Sequence, residues 1–367
     1  MSSHDSDGPY PVIGLYKQLF VCGFAFSTAT PKTRSPTPNA EEHPSFFMPA
    51  SDYRRHTLLG EGTFGKVYKG EVVATGRVVA IKKLLKVSSR KEGVELATLR
   101  EIMLLQELVH ENVIELVEVL CAHGGISLVF EYCVTDLEAI VKDREIMLDA
   151  ARVKGYMLGT LRGVAYCHDC WVLHRDLKPG NLLLSAEGVV KVADFGLARC
   201  YGSPERKYTG QVVTRWYRAP ELLFGAKFYG RSVDLWSAGA ILAELLLRAP
   251  FLPGNSDIEQ LSRVFTARGT PTEASWPGVS SLPDYIPFQP QPGRPLRELF
   301  SAASDETLSL LDGLLTLDPG ARLTARAALA HPYFVTEAPP PAPPAELAPR
   351  AKDGSGALAM HQEQKPR

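Results

Sequence analysis

The run His174-Arg-Asp-Leu-Lys-Pro-Gly-Asn181, followed by Asp194-Phe-Gly196, holds the residue types that phosphoryl transfer requires. Such transfer needs a carboxylate beside the attacking hydroxyl, and Asp176 supplies one. It needs oxygen ligands for Mg²⁺, which Asn181 and Asp194 can provide. Lys178, two positions from Asp176, can reach the transferring group and balance its charge. Singly, each has a plainer role: Asp176 as a helix cap, Asn181 and Asp194 as turn residues. Together, at offsets 0, +2, +5 and +18 from Asp176, they are not a coincidence.

A second group lies upstream. Gly60-Glu-Gly-Thr-Phe-Gly65-Lys-Val67 contains GxGxxG, a weak signal alone because it also marks dinucleotide sites, where the glycines open a helix. Here Lys66-Val-Tyr-Lys69 continues with β character, so the glycines sit in a hairpin between strands. Val79-Ala-Ile-Lys82 then embeds a lysine in the next strand, placed to reach α and β phosphates beneath such a hairpin. A long ammonium needs an anchor, and Glu101 in the following helix is the candidate, with Glu95 and Glu107 competing.

These motifs match the protein-kinase signature, and the resemblance covers residues 52–335. It implies an α+β, bilobal protein kinase fold: a small β-rich N-lobe (52–133) with one regulatory helix, and a larger, mainly helical C-lobe (134–335). Residues 1–51 are expected to be a disordered or low-complexity extension and 336–367 a Pro/Ala-rich disordered tail. The resemblance implies ATP and Mg²⁺ as cofactors. It places Leu59, Gly60, Glu61, Gly62, Thr63, Phe64, Gly65, Lys66, Val67, Ala80, Lys82, Phe130, Glu131, Cys133, Asp136, Asn181, Leu183 and Asp194 at the nucleotide. Phe130 to Cys133 would be the hinge whose backbone bonds adenine, and Asp136 would take the ribose hydroxyls. Glu221, Asp234 and Arg322 resemble scaffold positions.

Ala97-Thr-Leu-Arg-Glu101 and Thr214-Arg-Trp-Tyr-Arg218 resemble the cyclin-docking helix and substrate platform of the cyclin-dependent kinases. Gly202-Ser-Pro204, Tyr208-Thr-Gly-Gln-Val-Val-Thr-Arg-Trp216, Leu222-Leu-Phe-Gly-Ala226 and Phe251-Leu-Pro-Gly-Asn-Ser-Asp257 resemble their CDK-activating branch, carried by general transcription factor TFIIH. Lys91-Glu-Gly-Val94 and Tyr166-Cys-His-Asp169 are similar to its plant and green-algal members. This resemblance implies a cyclin-H-like cyclin, a RING-containing assembly subunit, substrates with Ser/Thr-Pro sites and a nuclear location. It counts Thr214 with the catalytic set and implies phosphorylation at Thr209, with Ser203 as a second site. Arg100, Arg175 and Arg199 fit a pocket for that phosphate, since converging guanidinium groups call for an anion. Departures are Glu95-Leu96 in the docking helix, Gly180 in the catalytic loop, and Phe64 in place of an inhibitory tyrosine. A non-catalytic pseudokinase scaffold and another cyclin-dependent branch, such as the cell-cycle-related kinase, are the alternatives.

The elements that must carry these residues are legible in outline. Strands are expected at 56–60, 66–73, 77–83, 114–120 and 127–132, with a helix from Val94 to Glu107 between the third and fourth. Short strands are expected at Leu182–Leu184 and Val190–Val192, and Ser232–Leu247 as a buried helix too short and too charged to span a membrane. Val12–Phe26 is apolar, but acidic residues precede it, which argues against a leader. Forty basic against forty-one acidic residues give no grip on nucleic acid or an anionic membrane surface. Six scattered cysteines read as reduced thiols, and Cys167-x-x-Cys170 lacks the second pair a zinc site needs.

Overall fold

The structure is a computed structural model and describes residues 52–62, 65–84, 96–122, 125–201 and 215–348. Alternation of β-branched and polar residues builds its first part. Strands β1 (Tyr53–Gly62), β2 (Gly65–Val72), β3 (Val78–Leu84), β4 (Leu116–Ala122) and β5 (Gly125–Glu131) pair antiparallel in the order β1-β2-β3-β5-β4. Val79 and Ile81 of β3 enter a small core with Leu120 and Val129. The period of two therefore turns Ala80 and Lys82 to the opposite face. Helix α1 (Leu96–Glu107) crosses between β3 and β4 in sequence, as expected, and β4 and β5 run Leu116–Ala122 and Gly125–Glu131 rather than 114–120 and 127–132.

The second part opens with β6 (Thr135–Asp136) and α2 (Leu137–Lys142), where Asp136 caps the helix by accepting from the Ala139 amide at 2.8 Å. Helix α3 (Ala150–Asp169) leads into β7 (Val172–Leu173) and the catalytic loop. Strands β8 (Leu182–Leu184) and β9 (Val190–Val192) form a hairpin, and β10 (Arg199–Cys200) pairs with β7. Helices α4 (Pro220–Leu223), α5 (Ser232–Leu247), α6 (Asp257–Arg268), α7 (Leu296–Leu299), α8 (Asp305–Leu314), α9 (Ala325–Leu329), α10 (Pro332–Val335) and α11 (Pro344–Leu347) complete it. Every residue of α5 from Val233 to Leu245 is buried, which is why that stretch is mostly apolar on all faces, with Asp234, Ser237 and Glu244 as its buried polar residues. Among the described residues no helix is long and apolar enough to cross a membrane.

The packed region extends beyond the expected boundary at residue 335. Residues 336–348 lie on α3, with Ala342 and Leu347 almost fully buried. The buried Lys154 ammonium donates to the carbonyls of Glu337 and Pro339, each at 2.9 Å. A Pro/Ala-rich stretch with two burying side chains lacks the periodicity of a core element, so composition alone reads it as a tail. Residues 1–51 and 349–367 lie outside the described residues.

Candidate active site

Two parts of the fold deliver the site. From the sheet, Lys82 reaches across to Glu101 of α1 at 2.8 Å and to Asp194 at 3.5 Å. Glu101 is thus the anchor; Glu107 lies in the same helix without this contact, and Glu95 lies outside the described residues. Burial alone would lower the Lys82 pKa, but the carboxylates of Asp194 and Glu101 more than offset it, so the ammonium is held charged.

From the helical part, the catalytic loop hangs on one buried carboxylate. Asp234 of α5 accepts from the backbone amides of His174 (3.0 Å) and Arg175 (2.8 Å) and meets His168 Nε2 at 2.8 Å. Desolvation would raise its pKa; the hydrogen bond and charge of His168, aided by His174 and the Arg175 amide, hold it below the ordinary range. His168 was not singled out from sequence, although a histidine six residues before His174 on the last turn of a helix was a readable signal. The His174 ring links the loop to the segment before Asp194: its Nε2 meets the Ala193 carbonyl at 2.9 Å, and its face lies edge-on to Phe195. Arg175 holds a positive φ of 70° and Asp194 one of 65°, strained values for non-glycine residues that this network fixes.

Within the cleft, the Asn181 amide donates to the Asp176 carbonyl (2.8 Å) and to Asp176 Oδ2 (3.1 Å), and Lys178 stands 3.4 Å from the same oxygen. Asp176 is thereby oriented while burial raises its pKa, making it a better proton acceptor than an exposed aspartate. Asp194 behaves oppositely: burial would raise its pKa, yet Lys82, His174 and Lys178 hold it low. Its Oδ1 is buried, with the Lys82 ammonium 3.5 Å away as its ion-pair partner. With the Asn181 nitrogen directed at Asp176, that residue's carboxamide oxygen is its acceptor. Two oxygen donors on one cleft suit Mg²⁺, which takes one or two carboxylates plus substrate phosphates rather than an all-protein cage. Among the described residues no group of three or more His, Cys, Asp or Glu is placed to hold a metal ion.

The remaining expected residues divide. Leu59, Gly60 and Glu61 lie on β1, which runs past the expected end at Gly60, Lys66 and Val67 lie on β2 and Ala80 on β3, with Lys66 paired to Glu61 at 3.0 Å. Gly65 has a φ of 144°, and an added Cβ would overlap the Lys83 carbonyl, so this end of the loop requires glycine. Phe130 and Glu131 end β5, Cys133 is buried between β5 and β6, and Leu183 lies on β8. The Glu131 side chain accepts from the Glu115 amide (2.8 Å) and pairs with Lys191 of β9 (2.9 Å), while the expected adenine contact is through the hinge backbone. Asp136 is a helix cap as well as a ribose candidate. Burial pushes the Cys133 thiol up to about 12.

Arg175 donates to the Leu197 carbonyl and to the Tyr229 hydroxyl (2.7 Å), and Arg199 to the Ala198 carbonyl. Both cations border the segment after Asp194. Thr63, Phe64, Ser203, Thr209, Thr214 and the Arg100 side chain lie outside the described residues. The scaffold expectations hold: Arg322 meets Glu221 in a buried fork at 2.7 and 3.0 Å.

Comparison with known proteins sharpens this geometry. The protein kinase domain family matches residues 53–334. Cyclin-dependent kinase 7 of Xenopus laevis is 54% identical over 317 residues, covering 85% of this chain and 89% of that protein. Cyclin-dependent kinase D-1 of Oryza sativa subsp. indica is 53% identical over 308 residues, covering 84% and 72%. Serine/threonine-protein kinase KIN28 of Saccharomyces cerevisiae is 48% identical over 299 residues, covering 81% and 97%. A chain in the structure of the CAK complex from Chaetomium thermophilum bound to ATP-gamma-S superposes with a TM-score of 0.76 at 42% identity, covering 80% of this chain and 94% of that one. The chain belongs to the protein kinase family and uses ATP as phosphoryl donor. Within that family it is a cyclin-dependent serine/threonine kinase of the CDK-activating kind.

Proposed function

We propose that this kinase works as the catalytic subunit of a nuclear, TFIIH-associated assembly. A cyclin-H-like cyclin would hold α1 inward and a RING-containing subunit would stabilise the complex. Its substrates would be Ser/Thr-Pro sites, in activation segments of other cyclin-dependent kinases and in the RNA polymerase II tail repeats. The observation that carries the catalytic reading is the Lys82–Glu101–Asp194 triangle, closed at 2.8 and 3.5 Å. A pseudokinase scaffold has no need of it.

In this reading the substrate hydroxyl approaches Asp176 Oδ2, which takes its proton as the hydroxyl oxygen bonds to the γ-phosphorus and the bond to ADP breaks. Lys178 balances charge on the transferring group, and Lys82, anchored by Glu101, positions the α and β phosphates. Asn181 and Asp194 would hold Mg²⁺, which neutralises charge between the phosphates. In this reading Thr214 belongs with the catalytic set, Thr209 is the phosphorylated residue of the activation segment with Ser203 as a second site, and the Thr209 phosphate is answered by Arg100, Arg175 and Arg199.

The test is transfer from ATP to paired peptides carrying Ser-Pro or Ser-Ala, by the chain alone and with its cyclin. Cyclin-stimulated transfer with a strong preference for Ser-Pro is expected. Equal rates on both peptides, or full activity without cyclin, would overturn the substrate and partner assignments respectively.

A further inference from the structure

The segment after α10 is bound too tightly to be a trailing end. Lys154, 1% exposed inside α3, donates to the carbonyls of Glu337 and Pro339, pairs with the Glu337 carboxylate at 3.1 Å and stands over the Tyr333 ring. A buried ammonium is costly unless such partners surround it, so the residues from 337 onward complete the folding of α3 itself. Further along, the Ala342 amide donates to the Ala151 carbonyl at 2.8 Å, and the Tyr156 hydroxyl donates to the Leu347 carbonyl at 3.2 Å.

The glycines of α3 show where this strap leads. Gly155, Gly159 and Gly163 are four residues apart and so lie on one face. A Cβ on Gly155 would meet the Ala342 carbonyl at 2.7 Å and Leu347 at 3.0 Å. One on Gly159 would meet Val190 at 2.9 Å, and one on Gly163 would meet Val192 at 2.7 Å. Strap and β9 thus lie end to end along a single surface of α3. They also touch each other: Gly188, in the β8–β9 turn with a φ of 84°, abuts the backbone at Pro344 and Ala348 so closely that no side chain fits.

That hairpin spans the interval between Asn181 and Asp194. Its ends are joined by the Ala193 amide donating to the Asn181 carbonyl at 2.9 Å. We propose that residues 336–348 are a positioning strap of the kinase, clamping the closed end of the β8–β9 hairpin so that its open end holds Asn181 and Asp194 in register. This rests on the reading of those two residues as the metal pair. The strap acts on those two residues through the hairpin it clamps.

The experiment uses the chain with its cyclin and compares the full chain, a chain ending at Ala348 and a chain ending at Val335. Readouts are Mg²⁺-dependent binding of a non-hydrolysable ATP analogue and hydrogen exchange at Val190 to Asp194 without metal. Ending at Ala348 is expected to change neither. Ending at Val335 should speed exchange in β9 and raise the Mg²⁺ needed for half-maximal binding about tenfold or more, as loss of a supporting contact does. A synthetic peptide of residues 336–348 should reverse both changes. Slow exchange and unchanged Mg²⁺ dependence in a folded chain ending at Val335 would overturn the proposal. Should that chain fail to fold, Gly188→Ala in the full chain decides instead: it must push strap and hairpin apart, and the same two shifts are expected. Their absence, with limited proteolysis showing the strap released, would overturn it. Asp194→Asn tests the metal-pair reading separately, since unchanged Mg²⁺ dependence there defeats that reading whatever the strap does.

Discussion

The sheet-bearing part and the helical part meet the nucleotide with different mechanical characters. Among the described residues the buried cluster on one face of the first includes Val79, Ile81, Leu120 and Val129, and its Lys82 is held by carboxylates outside the sheet. The second packs its catalytic loop against a helix buried on every side and ties it to one carboxylate through two amides and a histidine. A thin sheet yields more readily than a deep helical core, so in the proposed function the more movable reagent would be the one that meets phosphate. The reagents that must keep mutual geometry, Asp176, Asn181 and Asp194, sit on the rigid side.

If that division is right, the largest effect comes from the rigid side's chemistry. Asp176→Asn keeps the shape of the loop but removes the proton acceptor. Transfer should fall roughly 10²- to 10⁴-fold while binding of an ATP analogue is retained. Asp194→Asn should lose metal-dependent binding as well. Single-turnover rates beside equilibrium binding separate the two, and undiminished transfer by purified Asp176→Asn enzyme would remove Asp176 from its role.

Stability should be concentrated on the same side. Arg322 is fully buried, meets Glu221 with two nitrogens and donates to the carbonyls of Thr316, Leu317 and Ser232. Arg322→Ala strands the Glu221 carboxylate and should cost about 3–5 kcal/mol, the range for breaking a buried pair. Arg54→Ala on β1 breaks a largely exposed pair with Glu71 and should cost no more than about 1 kcal/mol. Denaturant midpoints of the two variants check this, and comparable losses would erase the distinction between the two parts.

Acidity sharpens the comparison within the rigid side. The Asp176 pKa is raised by burial, so activity should decline in acid at a pH above the ordinary aspartate range as the acceptor is protonated. The same shift favours the fold in acid, and that contribution fades as pH rises through the folded value. Asp234 has the opposite sign: its lowered pKa gives stability that is complete above the unfolded value and lost as pH falls through the folded one. Activity should therefore fail before the fold does on acidification. A pH–rate profile set beside pH-dependent melting tests this, and simultaneous loss would contradict it.

The catalytic constellation was readable from sequence because its chemistry demands fixed residue types at short spacing. Asp176, Lys178, Asn181 and Asp194 fall within nineteen positions, and the loop between them leaves little freedom. Glu101 was harder, since a helix offers several glutamates and only the packing of α1 selects one. Asp136 could be read as a ribose ligand, and a residue just before an apolar helix is equally a cap, a role its Oδ1 fills here. The strap was not legible at all. It is held by backbone carbonyls accepting from Lys154 and Tyr156, and carbonyls leave no trace in residue types.

The smallest expected effect comes from applying one substitution to both parts. Gly65, at the start of β2, has a φ of 144°, and its missing Cβ would overlap the rigid backbone carbonyl of Lys83 in the neighbouring strand. Gly65→Ala must therefore break the β2–β3 register or distort the loop, and should cost more than about 1 kcal/mol together with much of the nucleotide affinity. Gly180 is half-buried in the rigid part, one residue from the buried Asn181, where crowding would be expected. Yet an added Cβ there would meet only the Glu138 carboxylate at 2.9 Å, the far end of a flexible side chain already paired with Lys142 on its own helix. Glu138 can turn aside without disturbing the loop, and alanine narrows the unfolded ensemble. Gly180→Ala should thus change stability by no more than about 0.5 kcal/mol, as substitutions away from packed or strained positions do, and leave the turnover rate intact. Thermal melting and steady-state rates of the two variants measure the contrast. A large loss at Gly180 would mean that the catalytic loop itself needs the freedom of glycine, and the rigid side would then have to move during the reaction.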